Sequence, residues 1–143
     1  MAIKLPSEAD AWIREWGNKL NESEEYSEAA AGWGVGFNGD FLFEIQPDAE
    51  YDGDPVTLFV ALEDGSCTDA YEADDPESED WGFAFRGSAS DWKRLVQGEI
   101  DPVEGLMNGQ FDLDGDMQKV LQYSRGAVVM TENAGKVDTE FEF

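Results

Sequence analysis

Histidine is absent from the chain, and cysteine occurs once, at Cys67. Without imidazole there is no Ser-His-Asp or Cys-His machinery, no imidazole zinc site, and no ordinary base titrating near neutral pH. A lone thiol cannot close an internal disulfide, so a secreted scaffold stapled by bridges is excluded. With no His beside it, Cys67 reads as a small buried residue and not as a nucleophile. Cations are scarce as well: nine Lys and Arg stand against 33 Asp and Glu, for a formal charge of −24. Phosphate contacts need clustered Lys and Arg, so nucleic acid is not an expected partner. No stretch approaches the ~20 consecutive apolar residues that span a bilayer, so stable membrane insertion is not expected. The start, MAIKLPSEADAW, has no apolar run of signal-peptide length, and the end, TEFEF, is neither a peroxisomal nor a prenylation address. The expected location is therefore the cytoplasm.

What the chain does have is bulk and acid. Five Trp and nine Phe supply large core material, and a chain of this size buries about 70% of its unfolded surface on folding. The acidic residues are spread among the apolar ones along the whole chain, unlike a disordered acidic tail. Such a charge repels itself at ordinary ionic strength, whereas at molar salt the Debye length falls to about 3 Å. The acidity reads as a surface adapted to the salt-rich cytoplasm of a halophilic archaeon.

The hydrophobic period divides residues 1–143 into three parts of one expected domain: an amphipathic helix in 1–22, strands in 33–86, and helices with a final strand in 88–143. Ser7 and Asp10 offer a helix-capping pair, and Ala9, Trp12, Ile13, Trp16 and Leu20 follow as one helical stripe. A short second helix is expected over Ser23 to Ala31, with Tyr26, Ala29 and Ala30 on one side. From Trp33 to Ile45 the period becomes two, with strands also expected at Val56 to Leu62, Cys67 to Tyr71 and Trp81 to Phe85. Ser88 to Asp91 opens a helix carrying Trp92, Leu95 and Val96, and Asp101-Pro102 pairs an N-cap with proline at the first helical position. Phe111 and Leu113 alternate with Asp112 and Asp114 as a strand, and Asp116 caps a helix bearing Met117, Val120 and Leu121. Strands bunched ahead of helices predict an α+β fold: a largely antiparallel sheet with helices against one face.

The segment from Ser90 to Tyr123, SDWKRLVQGEIDPVEGLMNGQFDLDGDMQKVLQY, resembles the sterol carrier protein 2 family. The resemblance rests on Asp91-Trp92, on Gly98-Glu99-Ile100-Asp101-Pro102, on Leu106-Met107-Asn108-Gly109, on the alternating Phe111 to Leu113, and on Gly115-Asp116. Gly39 to Ile45 and Val56 to Gly65 are similar in layout to the first two strands of that family. The resemblance implies a five-stranded, largely antiparallel sheet covered by helices, with an apolar cavity between the two. It also implies binding of a sterol, fatty acyl or isoprenoid molecule without chemistry and without a cofactor. An accessory domain presenting an apolar substrate to a partner enzyme is the alternative.

By the same resemblance Leu106, Met107, Phe111, Leu113, Met117, Val120 and Leu121 are the expected cavity wall. Ordinary core packing is the competing reading of each. Tyr123 and Trp33 can add a polar handle to an apolar body, and Arg86, Lys93, Arg94 and Arg125 are the cations available to a phosphate. The sequence Asp112-x-Asp114-Gly115-Asp116 places its Gly at the fourth position, not the sixth that a calcium loop needs, so no metal site is expected. Gly32-x-Gly34-x-Gly36 is followed by strand patterning and not by a helix, which excludes a dinucleotide loop.

Overall fold

A computed structural model describes residues 2–143. Five strands form the main sheet: β2 (Phe41–Gln46), β3 (Val56–Glu63), β4 (Ser66–Glu72), β5 (Phe83–Ser88) and β6 (Phe111–Asp114), in the order β4-β3-β2-β5-β6. All neighbours are antiparallel except β2 and β5, whose parallel register sets Phe41 beside Phe83 and Phe43 beside Phe85. The period of two puts Phe41, Phe43, Ile45, Leu58, Val60, Leu62, Phe83 and Phe85 on one face, where all are buried. The opposite face buries a smaller group, Leu42, Phe59, Ala73 and Ala84, beneath Tyr71 and Trp81.

Among the described residues, six α-helices cover the aromatic face: α1 (Ala9–Glu22), α2 (Glu24–Ala29), α3 (Ala89–Val96), α4 (Pro102–Met107), α5 (Met117–Gln122) and α6 (Ser124–Ala134). The stripe of α1 buries Ala9, Trp12, Ile13, Trp16 and Leu20, and Trp16 stacks on Phe43 with ring centroids 5.3 Å apart. The cap residues read from sequence, Asp101 and Asp116, act as caps in α4 and α5, and Ser88, at the head of the segment expected to open a helix, caps α3. Ser88 accepts from the Asp91 N–H, Asp101 from those of Val103 and Glu104, and Asp116 from that of Gln118.

Three expectations are corrected. Ser7 does not cap α1: Glu8 occupies that position, and Asp10 instead pairs with Arg14 and accepts from the Glu72 N–H on β4. The segment 33–37 is not a strand. Gly32, Gly34 and Gly36 have φ of +91°, +81° and +82°, a left-handed conformation that glycine adopts without penalty and that breaks any ladder. Gly34 has a further constraint, since a Cβ there would lie 2.7 Å from the Leu62 carbonyl oxygen. Finally, α6 and a two-stranded parallel ribbon of β1 (Ile3–Leu5) and β7 (Thr139–Phe141) stand where no element was expected. The Trp12 indole N–H fastens that ribbon to α1 by donating to Thr139 Oγ1 over 2.8 Å.

Candidate functional site

The site is a seam between the aromatic sheet face and the layer formed by α4, α5 and α6. It holds two voids of about 30 Å³ each. The first is bounded by Tyr26, Ala30, Trp33, Leu62, Tyr123 and Gly126, the second by Trp16, Phe43, Phe85, Trp92, Leu106 and Leu113 among others. Phe41, Val120, Ala127 and Met130 line both, so one thin layer of side chains separates them. Three elements meet there for reasons visible in the sequence. Phe41 lies on the inward period of β2, Val120 on the inward side of α5, and Gly126 lets α6 approach the Ala29–Ala30 backbone of α2.

Among the seven wall residues expected from sequence, Leu106, Leu113 and Val120 lie on this lining. Phe111 does not. Its ring is buried, stacks on Phe85 at 4.7 Å, and fits between Gly87 and Gly105, where a Cβ on either glycine would collide with it. That is core packing. Met107 is 71% exposed and Leu121 41% exposed, so both face outward. Met117 is half-buried at the start of α5 and off the lining.

Sequence reasoning missed Tyr26 and the whole contribution of α6, namely Gly126, Ala127, Met130 and Thr131. A signal existed for the helix: Gly126, Val129, Met130 and Asn133 recur at helical spacing and are buried. Small and polar members dilute that stripe.

The polar groups along the seam are few, and most are already engaged. Trp16 Nε1 donates to the Met130 carbonyl, Trp33 Nε1 to that of Gly39, and Trp92 Nε1 to that of Glu44, each over 2.8 Å. Thr131 Oγ1 donates to the Val128 carbonyl. The Tyr26 and Tyr123 hydroxyls have no hydrogen-bond partner among the described residues. Burial pushes the Tyr26 phenol well above its usual pKa, so it stays neutral.

The remaining candidates lie elsewhere. Arg86 is on the other face of the sheet, beside Glu44 at 3.2 Å and Asp114 at 3.9 Å. Lys93 donates to the Phe143 carbonyl, Arg94 pairs with Asp91, and Arg125 with Glu25. The four do not converge on one anion. Cys67 is buried on β4, and burial pushes its thiol up to about 11. At neutral pH it is a protonated thiol, a poor nucleophile.

A twisted five-stranded sheet with one parallel pair, roofed by helices over an apolar seam, is the fold of the sterol carrier domains. The chain belongs to the SCP-2 sterol transfer family, whose sequence pattern matches residues 18–127. Its structure is similar to a crystal structure of sterol carrier protein 2, with a TM-score of 0.79 and 25% identity over 90% of this chain and 96% of that one. It is similar to much the same degree to a Thermus thermophilus protein described as possibly a sterol carrier protein, with a TM-score of 0.78, 25% identity and coverage of 91% and 88%. Sterol carrier protein 2 from Yarrowia lipolytica, in its apo form, shares the fold at 16% identity, with a TM-score of 0.53 and 87% coverage of both chains. No curated protein matches the chain in sequence. No helix among the described residues is long and apolar enough to cross a membrane.

Proposed function

We propose that the protein binds a lipid-like apolar molecule in the seam beneath α4, α5 and α6, and carries it without covalent chemistry. The observation that carries this reading is the apolar lining shared by both voids at Phe41, Val120, Ala127 and Met130. Family membership supports it, since SCP-2 domains are lipid-binding carriers. Leu106, Leu113 and Val120 are wall residues in this reading. The lining carries no carboxylate, amine or thiol among the described residues; its hydroxyl groups are those of Tyr26, Tyr123 and Thr131, and burial keeps the Tyr26 phenol neutral.

At about 30 Å³ each, the voids are far below the ~300–1,000 Å³ of a ligand pocket. Each holds about the volume share of one water. Ligand entry therefore requires the roof to lift. The parts suited to move are α4 and α5, six residues apiece, because helices that short draw their stability from tertiary packing. Lifting α5 from the sheet withdraws Val120 from the layer between the two voids and opens one to the other.

The test is solvent extraction of the purified protein followed by mass spectrometry, together with titration of a neutral fluorescent apolar probe. A co-purifying lipid, or saturable binding that the lipid competes away, is the expected result. An empty extract with no probe binding overturns the proposal.

A further inference from the structure

The two void regions differ in one respect. The second is walled by side chains whose polar atoms are all committed, whereas the first is bounded by two phenols that are not. Tyr26 is 2% exposed, and its hydroxyl lacks a partner among the described residues. That oxygen keeps only a sliver of accessible surface. Tyr123 meets Trp33 edge-on at 5.4 Å, and its hydroxyl crowds Gly32, where a Cβ would lie 2.9 Å from the oxygen. Gly32 thus leaves room for that hydroxyl. A hydroxyl with so little exposure and no protein partner is uncommon in native structures, and such groups have a reason.

We infer that the void between Tyr26 and Tyr123 is a headgroup pocket that selects lipids ending in an uncharged hydroxyl or carbonyl over ionised carboxylates and phosphates. The inference rests on the lipid-binding reading and specifies its ligand. Each phenol is both donor and acceptor, so an alcohol can accept from one and donate to the other. A carbonyl or a carboxylate can accept from both phenols, so the selection between those two rests on charge. No cation among the described residues lines either void. On the adjoining helices, Arg125 is already paired with Glu25, and the Lys119 ammonium sits over the Phe37 ring at 4.4 Å. Burying an anion without a counter-charge is strongly unfavourable, and a chain of net charge −24 adds repulsion. The fatty tail would then run past Phe41 and Met130 into the second void, whose committed polar groups ask nothing of it.

The experiment compares a long-chain alkanol, the alkanoic acid of equal length and the corresponding alkane as competitors of a neutral fluorescent probe. It is run at about pH 8, where the acid is ionised. The alkanol is expected to bind at least about tenfold more tightly than the acid, with the gap narrowing as the pH falls to about 4. In Tyr26→Phe/Tyr123→Phe the alkanol should lose its advantage over the alkane while alkane binding persists. Should the double variant fail to fold, the single variants and the wild-type selectivity decide. Equal affinity for acid and alkanol at the higher pH overturns the inference, as does a folded double variant that still prefers the alkanol. If all three bind alike, the headgroup pocket falls and the lipid-binding reading stands. If none competes, both fall.

Discussion

Replacing Ala127 by Phe tests the seam where it is narrowest. Ala127 lines both voids from α6, facing Phe41, Val120 and Met130. A phenyl ring cannot enter a gap of about 30 Å³ on either side without displacing those neighbours. Overpacking of this kind costs about 1–3 kcal/mol, a fall in Tm of about 3–10 °C for a chain this size. The same ring occupies the path joining the voids, so affinity for an apolar probe should drop at least about tenfold, or 1.4 kcal/mol. Thermal melts with and without ligand read both effects. At a ligand concentration about 100 times Kd the wild type gains about 2.7 kcal/mol, and the variant should gain almost nothing. Met107→Phe is the control. Met107 is 71% exposed, so stability should change by no more than about 0.5 kcal/mol and binding not at all. A folded Ala127→Phe protein with wild-type affinity would show that the ligand does not use the seam.

Three further outcomes are expected. Phe111→Ala should destabilise by about 3–5 kcal/mol in urea titration, because the ring between Gly87 and Gly105 is core; a loss below about 1 kcal/mol would contradict that placement. Burial alone would raise the Asp48 carboxyl, but hydrogen bonds from Ser90, Glu50 and Tyr51 outweigh it and hold its pKa at about 2. A depressed folded pKa gives stability that is present above the unfolded value of about 3.9 and lost as pH falls toward the folded one. Acid titration of Asp48→Asn should therefore show a shallower loss over that window, and an unchanged slope would refute the assignment. With a net charge of −24, Tm should rise between about 0.1 and 3 M KCl as repulsion is screened, and a flat or falling Tm would dismiss the reading of a salt-adapted surface.

How much of this was legible in the sequence depended on whether each signal was local. The caps of α4 and α5 could be read from Asp101 and Asp116, and the start of α3 from Ser88 to Asp91, because a cap is settled within four residues. Ser7 failed because Asp10, its supposed partner, is drawn away by Arg14 and by the Glu72 backbone on β4. No local pattern announces that competition. The alternation of Trp33, Val35 and Phe37 with glycine mimicked a strand, yet those glycines serve for their positive φ, and the period is incidental. The ribbon of β1 and β7 pairs opposite ends of the chain through three residues each, too short a run to register.

The site shows the limit most clearly. Periodicity identifies which side of an element faces inward, but an inward side meets either packed core or a void. Phe111 and Leu113 share one face of β6, and only Leu113 reaches the seam, because the ring of Phe111 is taken up by two glycines, Gly87 of β5 and Gly105 of α4. Val120 and Leu121 are neighbours on α5, and Val120 lines both voids while Leu121 faces solvent. What separates wall from core is the shape of the facing element, here the small residues Gly126 and Ala127 of α6. Those residues lie at the very end of the matched family pattern and beyond the motifs that made the resemblance visible. The fold could thus be read from strong local patterns, whereas the seam lies where a weakly patterned helix crosses them.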